Sequence, residues 1–262
     1  MPSQRTPEEE WYYMLTEGEP VNRHLYHLNG LLPSDPRCKL CAAPFKGLGG
    51  IIMRLLGRDQ SRYNPRFCQK CQVFEHPGGA EVPLTMLFAD VRNSTGLAER
   101  MNARDFSRLI NRFYTVASHV LIKTDAMVDR LLGDEAIGLY IPGFTGPDHS
   151  RKAVQAAQEI LRLTGHRDDQ GPWLPVGVGV HTGTAYVGVV GGEQSTMDFT
   201  ALGDNVNITA RLASEASQGE ILISEATYTA ASLPLGDLEQ RQLELKGKSE
   251  PIAVRVLRVV PA

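Results

Sequence analysis

The chain has 262 residues, is 42% hydrophobic and carries a formal net charge of −3. That length and apolar content suffice for one large core, or a core with a small extra module, and the near-neutral charge argues against nucleic acid or an anionic membrane as the main partner. No run of about 18 consecutive apolar residues is present, and the opening stretch, Met1 to Glu10, is polar and acidic rather than a basic apolar leader, so the expectation is a cytoplasmic protein with no membrane span.

The first 80 residues differ from the rest. Trp11, Tyr12, Tyr13 and Leu15 predict a short amphipathic helix after the acidic start. All four cysteines then fall in two C-x-x-C pairs, Cys38-Lys39-Leu40-Cys41 and Cys68-Gln69-Lys70-Cys71. Two such knuckles can set four thiolates tetrahedrally around zinc. An iron–sulfur cluster is also compatible with four thiolates, whereas two disulfides fit poorly with a reducing cytosol. The intervening segment is longer than a usual zinc-ribbon spacing and has room for a helix on Ile51, Ile52, Leu55 and Leu56. Lys46, Arg54, Arg58, Arg62 and Arg66 lie among glycines there, as a docking or anion surface or as solvated charge. His76 to Ala80 reads as a Gly/Pro linker, dividing the chain into a front module, 1–80, and a second domain, 81–262.

From Val82 the pattern is that of a compact α/β domain. Pro83 to Ala89 is an apolar strand ending at Asp90, followed by Val91-Arg92-Asn93-Ser94-Thr95. A carboxylate at a strand end before a small polar loop is a common place for metals and phosphates. Asn102 caps a helix whose Phe106, Leu109, Ile110, Phe113, Ala117, Val120 and Leu121 follow the 3.6-residue period of a core-facing helix. Met127–Leu132 and Ala136–Ile141 flank the acidic turn Gly133-Asp134-Glu135 as a hairpin. Two carboxylates at adjacent strand ends, Asp90 and Asp134, can share divalent ions. A helix follows from Asp148 to about Gly165, with Val154, Ala157, Ile160 and Leu161 inward. The apolar, glycine-rich segment from Leu174 to Gly192 predicts a pair of strands, 176–183 and 185–191, with His181 a hydrogen-bonded strand histidine.

Phe199 to Ala213 reads as a strand end, a Gly203 turn and a helix opened by Asp204, whose carboxylate can accept from the first free N–H groups. Asn207 and Arg211, four apart, project from one helical face, and Val206, Ala210 and Ala213 take the other. An amide beside a permanent cation suits a sugar hydroxyl and a phosphate; a surface helix with two solvated polar residues is the alternative. Ser224 caps a last helix, and a closing hairpin spans Leu243 to Val259 around Lys246-Gly247-Lys248.

Five landmarks in this order and spacing carry a resemblance: Phe88-Ala89-Asp90-Val91, Gly133-Asp134, the strand around His181-Thr182-Gly183, Gly203-Asp204-x-Val206-Asn207-x-x-x-Arg211, and Lys246-Gly247-Lys248. From about Leu84 to Val259 the chain resembles the catalytic domain of class III nucleotidyl cyclases, a match that leaves the cysteine-rich front outside. The resemblance implies an α/β (α+β), ferredoxin-like core acting as a head-to-tail homodimer with composite sites at the interface. It implies that Asp90, Asp134 and the Val91 carbonyl hold two Mg2+ or Mn2+ ions, and that N–H groups around Asn93, Ser94 and Thr95 cradle phosphates. Asn207 would orient the ribose, Arg211 would stabilise the reacting phosphate and Lys246 would hold pyrophosphate, these three reaching in from the other subunit. The base would be read at Arg130 and Thr200. Threonine there resembles a bacterial subgroup that makes cyclic AMP; arginine at the first position departs from the family's lysine and, with several donors and no acceptor, suits guanine as well as adenine. ATP is the expected substrate, with GTP, a pyrimidine triphosphate or a catalytically silent sensor as alternatives, and a metal-stapled interaction protein as a third class.

Overall fold

A computed structural model describes residues 5–18, 23–32, 36–61, 65–72, 78–191, 198–234, 236–244 and 250–259; at Arg23, Gln72, Arg130 and Leu132 the description is of backbone alone. The chain begins with helices α1 (Pro7–Glu17), α2 (Arg23–Gly30), α3 (Gly47–Leu55) and α4 (Gln69–Gln72). Strand β1 (Gly78–Val91) follows, then α5 (Ser94–Arg100), α6 (Ala103–Lys123), β2 (Met127–Leu132), β3 (Glu135–Tyr140), α7 (Pro142–Thr145) and α8 (His149–Leu163). The second half runs β4 (Val176–Val190), β5 (Asp198–Leu202), α9 (Asp204–Glu215), β6 (Glu220–Ser224), α10 (Glu225–Ala231), β7 (Glu239–Leu243) and β8 (Ile252–Arg258). The strands form one sheet in the order β2-β3-β1-β4-β6-β8-β7, with β5 paired to β4. The β4–β6 pair is parallel and the remaining pairs are antiparallel.

Side chains alternate across a strand, and β1 sorts them into two cores. Leu87, Ala89 and Val91 pack with Ile110, Phe113, Ala117, Val120 and Leu121 of α6 and with Val154, Ala157, Ile160 and Leu161 of α8. Val82, Leu84, Met86 and Phe88 face the opposite side, where they share a buried cluster with Met14 and Leu15 of α1, Cys38, Cys41 and Cys68, and Ala213 of α9. Asp90 has the parity of Met86 and Phe88, so it belongs to this second face. The caps expected at Asn102 and Ser224 are present, each side chain accepting from the N–H three residues on.

Five expectations are corrected. The 176–191 segment is one continuous strand that pairs with β1 from Gly78↔Val189 to Val91↔Val176. Gly177, Gly179 and Gly183 mark close approach of α9 and its C-cap rather than a turn: a Cβ on Gly179 would stand 2.4 Å from the Ala213 nitrogen. Gly78, Gly79 and Ala80 are strand residues, not linker; His76 and Pro77 lie outside the described residues. Asp204 is the first residue of α9, whose N-cap is Gly203 at φ 134°, and no side chain caps it. Helix α3 forms, but Ile51, Ile52, Leu55 and Leu56 are exposed and its buried residues are Gly49, Gly50 and Met53. Val206 and Ala210 are only partly buried, the inner face of α9 being Ile208, Thr209, Leu212 and Ala213. Among the described residues no helix is long and apolar enough to cross a membrane.

Candidate active site and four-cysteine centre

The ends of β1 and of the β2–β3 hairpin converge. Asp90 is in register with Glu135, and Val91 N–H donates to the Asp134 carbonyl at 3.1 Å. Asp134 therefore sits beside Asp90 on a turn entered through Gly133 at φ 63°, a left-handed conformation that glycine adopts without Cβ strain. The Tyr114 hydroxyl of α6 donates to the Gly133 carbonyl at 2.8 Å and pins that turn from outside. Arg92 completes the cluster. Its guanidinium pairs with the Asp90 carboxylate and donates to the Ser214 carbonyl at the end of α9, at 2.6 Å.

The acids concentrate negative potential here. Burial pushes the Glu135 carboxyl above its ordinary value, and the Asp134 charge pushes it further, against Arg92. Burial likewise raises the Tyr114 hydroxyl, again with Asp134 adding. Burial lowers Arg92, although Asp134, Glu135 and Glu215 favour its charge. Two carboxylates and a strand-end carbonyl make an all-oxygen donor set of the kind hard divalent cations take, so Asp90, Asp134 and the Val91 carbonyl fit Mg2+ or Mn2+ in kind and in proximity. Asn93, at φ 57°, turns the chain into α5, placing Ser94 and Thr95 in its first turn.

The other predicted residues lie elsewhere in the chain. Asn205 fixes the start of α9: its Oδ1 meets His181 Nε2 at 2.8 Å and its Nδ2 donates to the Thr184 carbonyl at 2.7 Å. His181 is thus the hydrogen-bonded strand histidine expected. Asn207 is exposed and Arg211 half-buried on this helix. With roughly 1.5 Å of rise per residue, Asn207 stands about 10 Å and Arg211 about 4.5 Å up the axis from Ser214, whose carbonyl Arg92 reaches. Thr200 is buried on β5 in register with Gly188. The backbone of Arg130 lies on β2 where the pairing with β3 shifts register between Val128 and Leu131. Lys246, Gly247 and Lys248 lie outside the described residues.

The four cysteines do come together. Cys38, Cys41 and Cys68 are buried, Cys71 is half-buried, and the four sulfurs lie within 4.8 Å of one another. Cys41 and Cys68 sulfurs are 3.8 Å apart, and the Cys68 N–H points at Cys38 Sγ at 3.3 Å. The hydrogen bond from Cys38 draws the Cys41 thiol down to about 7, and a similar bond holds Cys68 far below the thiol range. Two of the interleaved arginines are not merely solvated. Arg58 donates to Cys41 Sγ at 3.5 Å, and Arg66 donates to the Ile122 carbonyl from Nε at 3.1 Å and Nη2 at 2.7 Å. Arg54 pairs with Asp59 at 3.6 Å, and Arg62 lies outside the described residues. Sequence reasoning missed Arg92, Tyr114 and Glu135; only Glu135, next to Asp134, carried a local signal.

The model for the adenylate and guanylate cyclase catalytic domain matches residues 80–257. The chain belongs to this family. Among curated relatives, an adenylate cyclase of Anabaena cylindrica is 29% identical over 182 residues, 65% of this chain and 36% of that protein. A terminal-differentiation-specific adenylate cyclase of Dictyostelium discoideum is 29% identical over 188 residues, 68% of this chain and 8% of that one. The chain thus spans about a third or less of the length of these relatives. Of solved structures, the guanylyl cyclase Cya2 aligns with TM-score 0.62 and 26% identity over 68% of this chain and 93% of that chain. The adenylyl cyclase CyaB from P. aeruginosa aligns with TM-score 0.59 and 26% identity over 70% and 97%. The mixed α/β sheet is the fold of class III cyclases, and the cysteine knuckles precede the matched region.

Proposed function

We propose that the chain is an adenylate cyclase, converting ATP to 3′,5′-cyclic AMP and pyrophosphate at composite sites of a cytoplasmic homodimer. The observation that carries this reading is the junction of Asp90 with the Asp134 turn, closed by the Val91–Asp134 backbone bond. Asp90, Asp134 and the Val91 carbonyl would hold two Mg2+ or Mn2+ ions, which lower the pKa of the ribose 3′-hydroxyl and neutralise the triphosphate. The 3′-oxygen bonds to the α-phosphorus as the bond to the β-phosphate oxygen breaks, and the hydroxyl proton passes to solvent. N–H groups around Asn93, Ser94 and Thr95 cradle the terminal phosphates, and Lys246 holds the departing pyrophosphate. Asn207 orients the ribose, and Arg211, a permanent cation, offsets charge on the reacting phosphate. The place of Asn207 two turns up α9 from the Ser214 carbonyl that Arg92 reaches supports its supply by a second copy; in this reading Arg211 and Lys246 come with it.

Thr200 and Arg130 face the base in this reading. A guanidinium at Arg130 serves guanine as well as adenine, and the likeness to a guanylyl cyclase structure keeps GTP as the second reading. We read the chain as a front module that ends before β1, holding zinc or an iron–sulfur cluster, on a catalytic domain that starts with β1 at Gly78; the core shared by Met14, Leu15, Val82 and Leu84 supports a fixed seat for the first on the second. Incubation of the purified chain with ATP, GTP, CTP and UTP, with Mg2+ or Mn2+, identifies the product; no cyclic nucleotide from any of them would refute the reading. Asp90→Ala and Arg211→Ala should each lose activity by about 10²–10³-fold, the scale of removing one charge-stabilising group. Mixing the two inactive variants should restore part of it, since one of the two sites in a mixed dimer is intact.

A further inference from the structure

Both cysteine knuckles are fastened to one turn of the cyclase domain, between α6 and β2. Lys39, between Cys38 and Cys41, pairs with Asp125 Oδ1 at 3.0 Å and also donates to the Phe144 carbonyl. Arg66, just before Cys68, pairs with the same oxygen at 3.1 Å. The knuckles are tied to each other as well, since Lys39 N–H donates to the Arg66 carbonyl at 3.0 Å. Phe67 is 1% exposed and meets Phe144 edge-on at 5.4 Å. From the cyclase side, Lys152 of α8 holds Asp125 Oδ2 at 2.9 Å and the Thr145 hydroxyl donates to the Asp125 carbonyl at 3.0 Å. Asp125 itself sits at φ 66° in the turn between α6 and β2, so its carboxylate anchors the start of the hairpin that ends in Asp134. Three cations around one carboxylate repel one another, and two of them, Lys39 and Arg66, are carried to it on the knuckles.

The sulfur spacing selects what the knuckles hold. A tetrahedral ion with metal–sulfur bonds of about 2.3 Å requires sulfurs about 3.8 Å apart, which is the Cys41–Cys68 separation. In a four-iron cluster each thiolate binds a different corner of the cube, and in a two-iron cluster the thiolate pairs stand on opposite sides of the bridging sulfides. Either arrangement needs some pairs of thiolates well beyond the 4.8 Å that encloses all four sulfurs here. The centre is therefore sized for one ion. Coordination takes the sulfurs as thiolates, their protons passing to solvent, and the Arg58 guanidinium beside Cys41 offsets the resulting negative charge.

We propose that a single zinc ion on Cys38, Cys41, Cys68 and Cys71 locks Lys39 and Arg66 onto Asp125, so that occupancy of the front module sets the order of the β2–β3 hairpin that presents Asp134. The consequence for turnover rests on the cyclase reading above; metal content and hairpin order do not. The test uses the full chain. Elemental and acid-labile sulfide analysis should give one zinc per chain and no sulfide, and replacement by Co2+ should give the intense visible bands of tetrahedral thiolate cobalt. Stripping zinc with a chelator should speed amide hydrogen exchange over residues 127–140 by about tenfold, as local opening of an unclamped element does, and zinc readdition should reverse it. Asp125→Asn should bind zinc as before yet exchange rapidly with or without it; Lys39→Met, which leaves Arg66 and Lys152 on Asp125, should show an intermediate response. Iron with sulfide, or exchange over 127–140 indifferent to zinc, overturns the proposal. A zinc-responsive hairpin in a chain that cyclises no triphosphate would sink the cyclase reading and leave the clamp standing.

Discussion

Arg92 pairs with Asp90, where the proposed reading places the catalytic cations, and its replacement by methionine separates two roles. Methionine keeps the apolar stem while removing the ion pair with Asp90 and the 2.6 Å hydrogen bond to the Ser214 carbonyl. Both ion-pair side chains are about one-fifth exposed, 20% for Arg92 and 21% for Asp90, so the pair belongs near the upper end of the partly exposed range, about 1 kcal/mol. A metal ion taking up Asp90 must displace or share that contact. Relieving the competition should lower the Mg2+ concentration for half-maximal activity by about fivefold, the equivalent of 1 kcal/mol. Without metal, the lost ion pair and the lost strap from β1 to α9 together cost about 2 kcal/mol of stability, or a melting temperature lower by about 4–8 °C for a domain of this size. Mg2+ titrations at saturating triphosphate and thermal unfolding without metal read the two effects separately. A half-saturation that rises or stays put while the melting temperature falls would mean that Arg92 holds Asp90 in place for the ion, and the competition argument would be refuted.

Tyr114→Phe removes the hydroxyl that pins Gly133 at 2.8 Å; at a half-exposed site this costs about 0.5–1 kcal/mol, and the loosened Asp134 turn should raise the Mg2+ requirement by about two- to fivefold, measured in the same titration. Burial lowers the pKa of His149 and, despite a hydrogen bond with the Leu161 carbonyl that favours the charged form, of His166. The unfolded chain thus binds protons that the folded chain refuses; their contribution to stability is complete above about pH 6.5 and is lost as pH falls through the depressed folded values. Urea midpoints at pH 7.5 and 5.5 should differ in favour of the higher pH, and equal midpoints would contradict the assignment. For His166 the cause is visible, since its Nε2 accepts from Val176 N–H at 3.3 Å, an acceptor that protonation removes. Gly179→Ala puts a Cβ 2.4 Å from the Ala213 nitrogen, so α9 must shift; we expect a loss of about 1–3 kcal/mol, as for an overpacked core, with folding measured by denaturant titration.

The fold was most legible where one physical signal dominated. The 3.6-residue period of Ile110, Phe113, Ala117 and Val120 marks a buried helix face, and that face is buried. The acids Asp90 and Asp134 were legible as strand-end and turn residues, and the strand register brings them to one place. The 176–191 segment was misread because glycine has two meanings in a strand: a break, or room for another backbone. Only the position of α9 decides between them, and that is a tertiary fact. The same holds for Arg58 and Arg66. As part of a basic, glycine-rich stretch they look solvated, yet one reaches a thiol and the other a carbonyl and a carboxylate far along the chain. Tyr114 and Arg92 act through backbone carbonyls of Gly133 and Ser214, and no spacing rule in a single sequence points to such partners.

The two-sided packing of β1 ties these sites together. Helices α6 and α8 fill one face of the sheet, while α1, the cysteine knuckles and α9 lie with Met86 and Phe88 on the other. Met14 and Leu15 are buried to 2% and 0% exposure there, and burial of such side chains contributes about 1.5–3 kcal/mol each, enough to seat α1 firmly. Asp90 opens on this same face, and so does the helix carrying Asn207 and Arg211. A second copy completing the proposed site must approach from the side on which the front module sits. A change at the cysteines can therefore reach the proposed site along one surface and through the Asp125 anchor, without rearranging the α6–α8 core behind the sheet.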